Sequence, residues 1–242
     1  MAEANYLLYP ESRSAAGIFK ELLDKKNNSK ILKTIQKKGH SSQVSAVAFS
    51  PDGQSILTGS QDNTAILWDL KGKQLSTFKG HSSDVEAIAF SPDGQSILTG
   101  SQDNTAILWD LKGNQLTSFK GHSSSVRAVA FSPDGQFILT GAWDNTAKLW
   151  NLRGKQLISF NGHSSSVIAA AFSPDGQSIL TGAEDKTAIL WDLRGKQLIS
   201  FNGHSKAVSA VAFSPSGESI LTGSGDNTAT VSYTHLTLPT KA

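Results

Sequence analysis

HSSDVEAIAFSPDGQSILTGSQDNTAILWDLKGNQLTSFKG, residues His81 to Gly121, is a unit that this chain writes over and over. Gly-His pairs stand at Gly39-His40, Gly80-His81, Gly121-His122, Gly162-His163 and Gly203-His204, each 41 residues after the last. Self-similarity at such a period marks a solenoid, propeller or array, so the unit and its copies settle the architecture. Inside it, Val85 to Phe90 is an apolar run, and Ser91-Pro92-Asp93-Gly94 supplies proline for a preset φ and glycine for a positive one. Ile97 to Gly100 forms a second strand, and Gln102-Asp103-Asn104 turns the chain into a third, Thr105 to Trp109. Leu111-Lys112-Gly113-Asn114 turns it again into Gln115 to Phe119. Each unit therefore reads as a four-stranded antiparallel meander, with no room for a helix between its turns.

These residues resemble the WD40 repeat family. A Gly-His pair opens each copy, Ser-Pro-Asp-Gly follows the first strand in four of the five, and Trp68-Asp69, Trp109-Asp110, Trp150-Asn151 and Trp191-Asp192 close the third. The resemblance runs from His40 to about Val231 and implies an all-β fold. The implied architecture is a WD40-type β-propeller, or an open propeller arc, of about five four-stranded blades around a channel.

The 242 residues suffice for one large all-β domain, and the unbroken repeat favours one. With no cysteine there is no disulfide framework, thiolate metal site or cysteine nucleophile, and no metal or cofactor is expected. The opening MAEANYLLYPESRS lacks an apolar core flanked by basic residues, and no stretch is long enough to span a membrane; a cytoplasmic protein without membrane partners is expected. Residues 1–29 form an N-terminal extension in which Ser14 to Lys26 reads as a short helix, with Ile18, Phe19, Leu22 and Leu23 on one face. Its lysines are interrupted by Glu21 and Asp24 and accompanied by no aromatic stacking platform, so nucleic acid is not an expected partner. Residues 30–231 form the array. Lys30 to Ile35 resembles a fourth strand such as Lys73 to Phe78, which in the family closes the ring by completing the last blade.

In every copy a His precedes an Asp by 22 residues, with a Thr four residues before that Asp. In the first four copies a Trp follows six residues after it. The sets are His40, Thr58, Asp62, Trp68; His81, Thr99, Asp103, Trp109; His122, Thr140, Asp144, Trp150; and His163, Thr181, Asp185, Trp191. Hydroxyl, imidazole and carboxylate would suit a hydrolase triad. Four complete copies with the Thr inside an apolar strand favour scaffolding, because a buried indole N–H needs an acceptor, Thr can relay that bond, and His can bridge to Asp. The resemblance implies that same order, pinning the incoming loop of each blade, and no catalytic residue is assigned.

The first two copies differ at only six of 41 positions, so departures between copies are informative. They concentrate at the third and fifth residues after each His and at the residue before each turn Asp: Gln43, Ser45 and Gln61; Asp84, Glu86 and Gln102; Ser125, Arg127 and Trp143; Ser166, Ile168 and Glu184; Ala207, Ser209 and Gly225. The resemblance implies that these lie on the top face around the channel, where protein or peptide partners dock. Asp84, Glu86, Arg127, Trp143, Ile168 and Glu184 are the candidate partner-binding residues, Trp and Arg being types enriched in binding hot spots. Drift between duplicated copies would give the same pattern. Phe137 and Lys148 also depart from the other copies, within strand segments read as edge or outer-face positions, and receive no role.

The fifth copy keeps His204, Thr222 and Asp226, but Ser232 stands at the tryptophan position and Tyr233 after it, and residues 232–242 form a tail outside the repeat. Three arrangements fit: a piece of a longer array ending in an unrelated fusion, a five-bladed ring closed by residues 30–35, or an open arc that self-associates. The expected function is a non-enzymatic scaffold for protein interaction, within a longer regulatory protein on the first of those arrangements. The alternative is a propeller-fold hydrolase using the non-repeated acidic residues Asp84, Glu86 and Glu184.

Overall fold

The computed structural model describes residues 39–234. These form antiparallel sheets, each a meander in chain order. The first comprises β1 (Val44–Phe49), β2 (Ser55–Ser60), β3 (Thr64–Asp69) and β4 (Gln74–Lys79); the second β5 (Val85–Phe90), β6 (Ser96–Ser101), β7 (Thr105–Asp110) and β8 (Gln115–Lys120). The third comprises β9 (Val126–Phe131), β10 (Phe137–Ala142), β11 (Thr146–Asn151) and β12 (Gln156–Asn161); the fourth β13 (Val167–Phe172), β14 (Ser178–Ala183), β15 (Ala188–Asp192) and β16 (Gln197–Phe201). The fifth has three strands among the described residues, β17 (Val208–Phe213), β18 (Ser219–Ser224) and β19 (Ala229–Tyr233). Successive sheets pack through their first strands, β1 on β5, β5 on β9, β9 on β13 and β13 on β17, so these strands line the inside of the arc.

Local chemistry forces each reversal. In the second sheet Gly94 sits at φ +69°, and the Asp93 carboxylate accepts hydrogen bonds from the Ser91 hydroxyl at 2.6 Å and the Gln95 amide at 2.9 Å. After β7 the Asp110 carboxylate accepts from the amides of Lys112 and Asn114, both at 2.9 Å, which ties the turn to the strand end. Asn151 does the same through its amide oxygen, at 3.1 Å to Arg153 and 3.0 Å to Lys155, because the turn asks only for an acceptor. Between second and third strands a left-handed residue is required. Four copies place Asn there, but the fourth uses Lys186 at φ +74°, without the short polar side chain that eases this conformation.

The core lies in the seams between sheets. Leu57 and Phe78 of the first sheet bury against Val85, Ile88, Ile97 and Trp109 of the second, and the next seams repeat the pattern. Phe78 meets the Trp109 ring edge-on at 5.8 Å, as Phe119 meets Trp150 at 5.8 Å and Phe160 meets Trp191 at 5.6 Å. Close approach explains the glycine in the second strand: a Cβ on Gly100 would stand 2.8 Å from Cγ1 of both Val126 and Val129. These two valines fill the space that the glycine leaves.

Among the described residues the arc is open at both ends. Val47, which leads the first sheet, is 37% exposed where its counterpart Ile88 is 5% exposed, and Leu221 in the last sheet is 43% exposed where Leu98 is fully buried. The short helix expected over Ser14 to Lys26 and the closing strand expected over Lys30 to Ile35 lie outside the described residues, which contain no helix. The ladder of the fifth sheet runs past Val231, pairing Ser232 with Ile220 and Tyr233 with Ser219. Two readings are corrected. Lys148 is buried rather than on an outer face: it takes the place of Ile107 in the preceding sheet and directs Nζ to the Ser159 hydroxyl at 3.4 Å. Phe137 packs against the seam between the third and fourth sheets, where its ring adds to a cluster that includes Trp191.

Gly100→Ala is expected to lower stability by about 1–3 kcal/mol through overpacking. Gly223→Ala, whose Cβ would meet Ala210 at an ordinary 3.5 Å, should stay within about 0.5 kcal/mol of the parent. Urea midpoints of the two single variants measure the contrast.

Candidate functional site

The repeated quartets converge within each sheet. In the second, Trp109 Nε1 donates to Thr99 Oγ1 at 2.9 Å, Thr99 Oγ1 meets His81 Nε2 at 2.7 Å, and His81 Nδ1 meets Asp103 Oδ2 at 2.8 Å. The same chain forms in the first sheet through Trp68, Thr58, His40 and Asp62, in the third through Trp150, Thr140, His122 and Asp144, and in the fourth through Trp191, Thr181, His163 and Asp185. The fifth keeps Thr222, His204 and Asp226 but has no indole to bind. Because the carboxylate only accepts, the hydrogen-bond pattern assigns the proton to Nδ1, leaving Nε2 to accept the Thr hydroxyl. The Asp103 carboxylate also accepts from the Ser82 amide at 3.0 Å and from the Thr105 amide and hydroxyl at 3.0 and 2.6 Å, joining the loop before β5 to the turn before β7.

This arrangement is chemically closed. Thr99, the would-be nucleophile, is fully buried, and its oxygen is already shared by an indole and an imidazole. Burial opposes ionisation of Asp103, but the hydrogen bonds from His81, Thr105 and the Ser82 amide outweigh it and hold the carboxyl well below the usual range. Asp144 and Asp226 are held low in the same way, Asp226 chiefly by the Thr228 hydroxyl. Burial lowers the pKa of His163, against the opposing pull of Asp185. Among the described residues no group of three or more His, Asp and Glu side chains gathers in a way that would hold a metal ion.

The variable positions have a physical basis that reading the sequence missed. In β5, Val85 pairs with Ser101 and Ala87 with Gly100, so Glu86 is an extra residue in a β-bulge. Arg127 of β9 and Ile168 of β13 occupy the same bulge, as do Ser45 and Ser209. A bulged residue is released from the ladder and its side chain is re-aimed, so the position tolerates any chemistry. The residue before each turn Asp lies at the same end of its sheet: the amides of Gln102, Trp143 and Glu184 donate to the carbonyls of Asp84, Ser125 and Ser166, each at 2.9 Å.

Two of these sites are bridged across a seam. Arg127 reaches back to Glu86 at 2.8 Å, Gln102 donates to the same carboxylate at 2.5 Å, and the Arg127 guanidinium lies 4.8 Å from the centre of the Trp143 ring. Trp143 is 45% exposed. Glu184 instead contacts Ser165 of its own sheet at 3.4 Å, and Ile168 is half-buried at the position equivalent to Arg127; neither is a partner of this cluster. Asp84 is half-buried beside it in sequence, contributing its carbonyl to the Gln102 amide.

Asp103→Ala is expected to leave a buried imidazole and two loop amides without their acceptor and to destabilise the protein by about 1–3 kcal/mol. Stability should also fall with acid. His163 has a folded-state pKa below its unfolded one, so its contribution is lost as pH drops below about 6.5. The aspartates, likewise held low, add theirs above about pH 4 and lose it below. Thermal melts across pH should show a shallow first decline and a steep second one, the second reduced in Asp103→Asn.

Residues 70–231, more than half of the chain, match the family model described as IFT122 first beta-propeller, and residues 29–69 match that of the WD domain, G-beta repeat. The chain with these Trp, Thr, His and Asp bonds in each full blade, a bulged inner strand and glycine-dependent seams therefore belongs to the WD40 repeat β-propeller family.

Proposed function

We propose that this chain is a non-enzymatic scaffold whose bulged end, the top face of the propeller, docks protein or peptide partners. WD40 propellers are in general scaffolds for protein interaction. The observation that carries the reading here is the cluster of Glu86, Arg127 and Trp143. A guanidinium held by Glu86 and stacked beside an exposed indole is a rigid anchor that loses little side-chain freedom on binding. Asp84, Ile168 and Glu184 flank it around the same end and would tune the choice of partner by charge and by apolar contact.

The hydrolase alternative receives less support. Hydrolysis of a glycosidic bond uses two carboxyl groups flanking one bond, and Glu86 is engaged by Arg127 and Gln102. The quartets offer no accessible hydroxyl in place of it.

Arg127→Ala combined with Trp143→Ala is expected to remove the partners recovered with the purified chain while leaving its melting temperature within a few degrees, since Trp143 is largely outside the core. Quantitative comparison of co-purifying proteins checks this, and an unchanged partner set in the folded double variant defeats the proposal.

A further inference from the structure

We propose that the two open ends of the arc are a matched pair of faces through which the chain associates head to tail with a second copy of itself. The argument rests on what the seams already contain. At three of the four internal seams two residues of an inner strand enter the space over the second-strand glycine of the sheet before, Val85 and Ile88 over Gly59, Val126 and Val129 over Gly100, Val208 and Val211 over Gly182; over Gly141 Val167 enters alone. The first sheet carries the same knobs, Val44 and Val47, with Phe49 beside them more than half exposed. The last sheet carries the receiving side: Gly223, near which a Cβ would meet, among the described residues, only Ala210 of its own sheet, flanked by exposed Leu221, Val231 and Tyr233.

The loops repeat the pairing. A Cβ on Gly94, Gly135, Gly176 or Gly217 would meet the proline of the preceding sheet, Pro51, Pro92, Pro133 or Pro174, at 3.5 to 3.8 Å. A Cβ on Gly53 of the first sheet would meet nothing within 4 Å among the described residues, and Pro215 of the last sheet is exposed. Knob, recess, proline and glycine are therefore present at opposite ends of one molecule in the complementary sense found at every internal seam. The matching surface for each end exists in this chain and is displayed by every other copy of it. Because the two faces differ, the contact is heterologous, and each association leaves one face of either kind free for the next. The Glu86, Arg127 and Trp143 cluster takes no part, so this inference stands apart from the docking of partners at the bulged end.

The test uses the full 242-residue chain and two single variants at exposed positions, Val47→Lys and Leu221→Lys. Light scattering of the parent should show an average mass that rises with concentration up to about 100 µM. Each variant alone should stay monomeric, and an equimolar mixture should form a species of two chains and no larger, because one variant keeps an intact tail and the other an intact head. A parent that stays monomeric over the whole range overturns the proposal and assigns the cover of these faces to the chain itself. Association that persists in the single variants, or a mixture that stays monomeric, overturns it as well. If either variant loses its β-sheet circular dichroism, Phe49→Lys and Tyr233→Lys replace the pair in the same scheme.

Discussion

A buried indole N–H must find an acceptor, and much of this protein follows from how four blades meet that demand. Trp109 is the largest side chain of its seam and almost fully buried, with its one donor directed back into its own sheet. Thr99 accepts, His81 continues the chain, and Asp103 ends it by taking two further backbone amides. The loop that brings His81 into place is thereby fixed, and with it the start of the inner strand. Each quartet is a tie rod between core and rim, and removing a member exposes a desolvated partner.

From that anchored loop the inner strand begins with a bulge, and the bulge is where the blades stop being alike. Glu86 and Arg127 face each other across a seam because both are released from their ladders at the same height. The scaffold is uniform where hydrogen bonds are obligatory and free where one residue is surplus. Diversity of side chains and uniformity of fold thus have the same origin.

The turn chemistry made the blades readable: Ser-Pro-Asp-Gly and the positive-φ residues place each reversal within a residue or two of where it occurs, and the 41-residue period does the rest. The quartets were legible too, since hydroxyl, imidazole, carboxylate and indole at fixed spacing are hard to produce without a bond between them. The bulges were not. An extra residue in a ladder changes no composition and no periodicity beyond one position, so only the pairing of Val85 with Ser101 and Ala87 with Gly100 reveals it. Lys148 was misplaced because a charged residue reads as outward-facing, whereas β11 is buried along both faces, so its stem is covered and its amine finds the Ser159 hydroxyl. The pairing of Glu86 with Arg127 was hidden because it joins residues 41 apart, a distance at which a periodic sequence offers every blade the same neighbour.

Seams built from the same few residues carry a consequence for how such a chain can change in length. A blade meets its neighbour through one or two branched apolar residues of the inner strand, a glycine and a proline that recur in successive copies, so it has little means of telling which neighbour it has met. Stability in such stacks is a sum of local contributions rather than a property of the whole. Excision or duplication of one complete unit would rejoin surfaces of the same shape, leaving no scar in the packing, and the number of blades is a quantity that folding leaves unregulated.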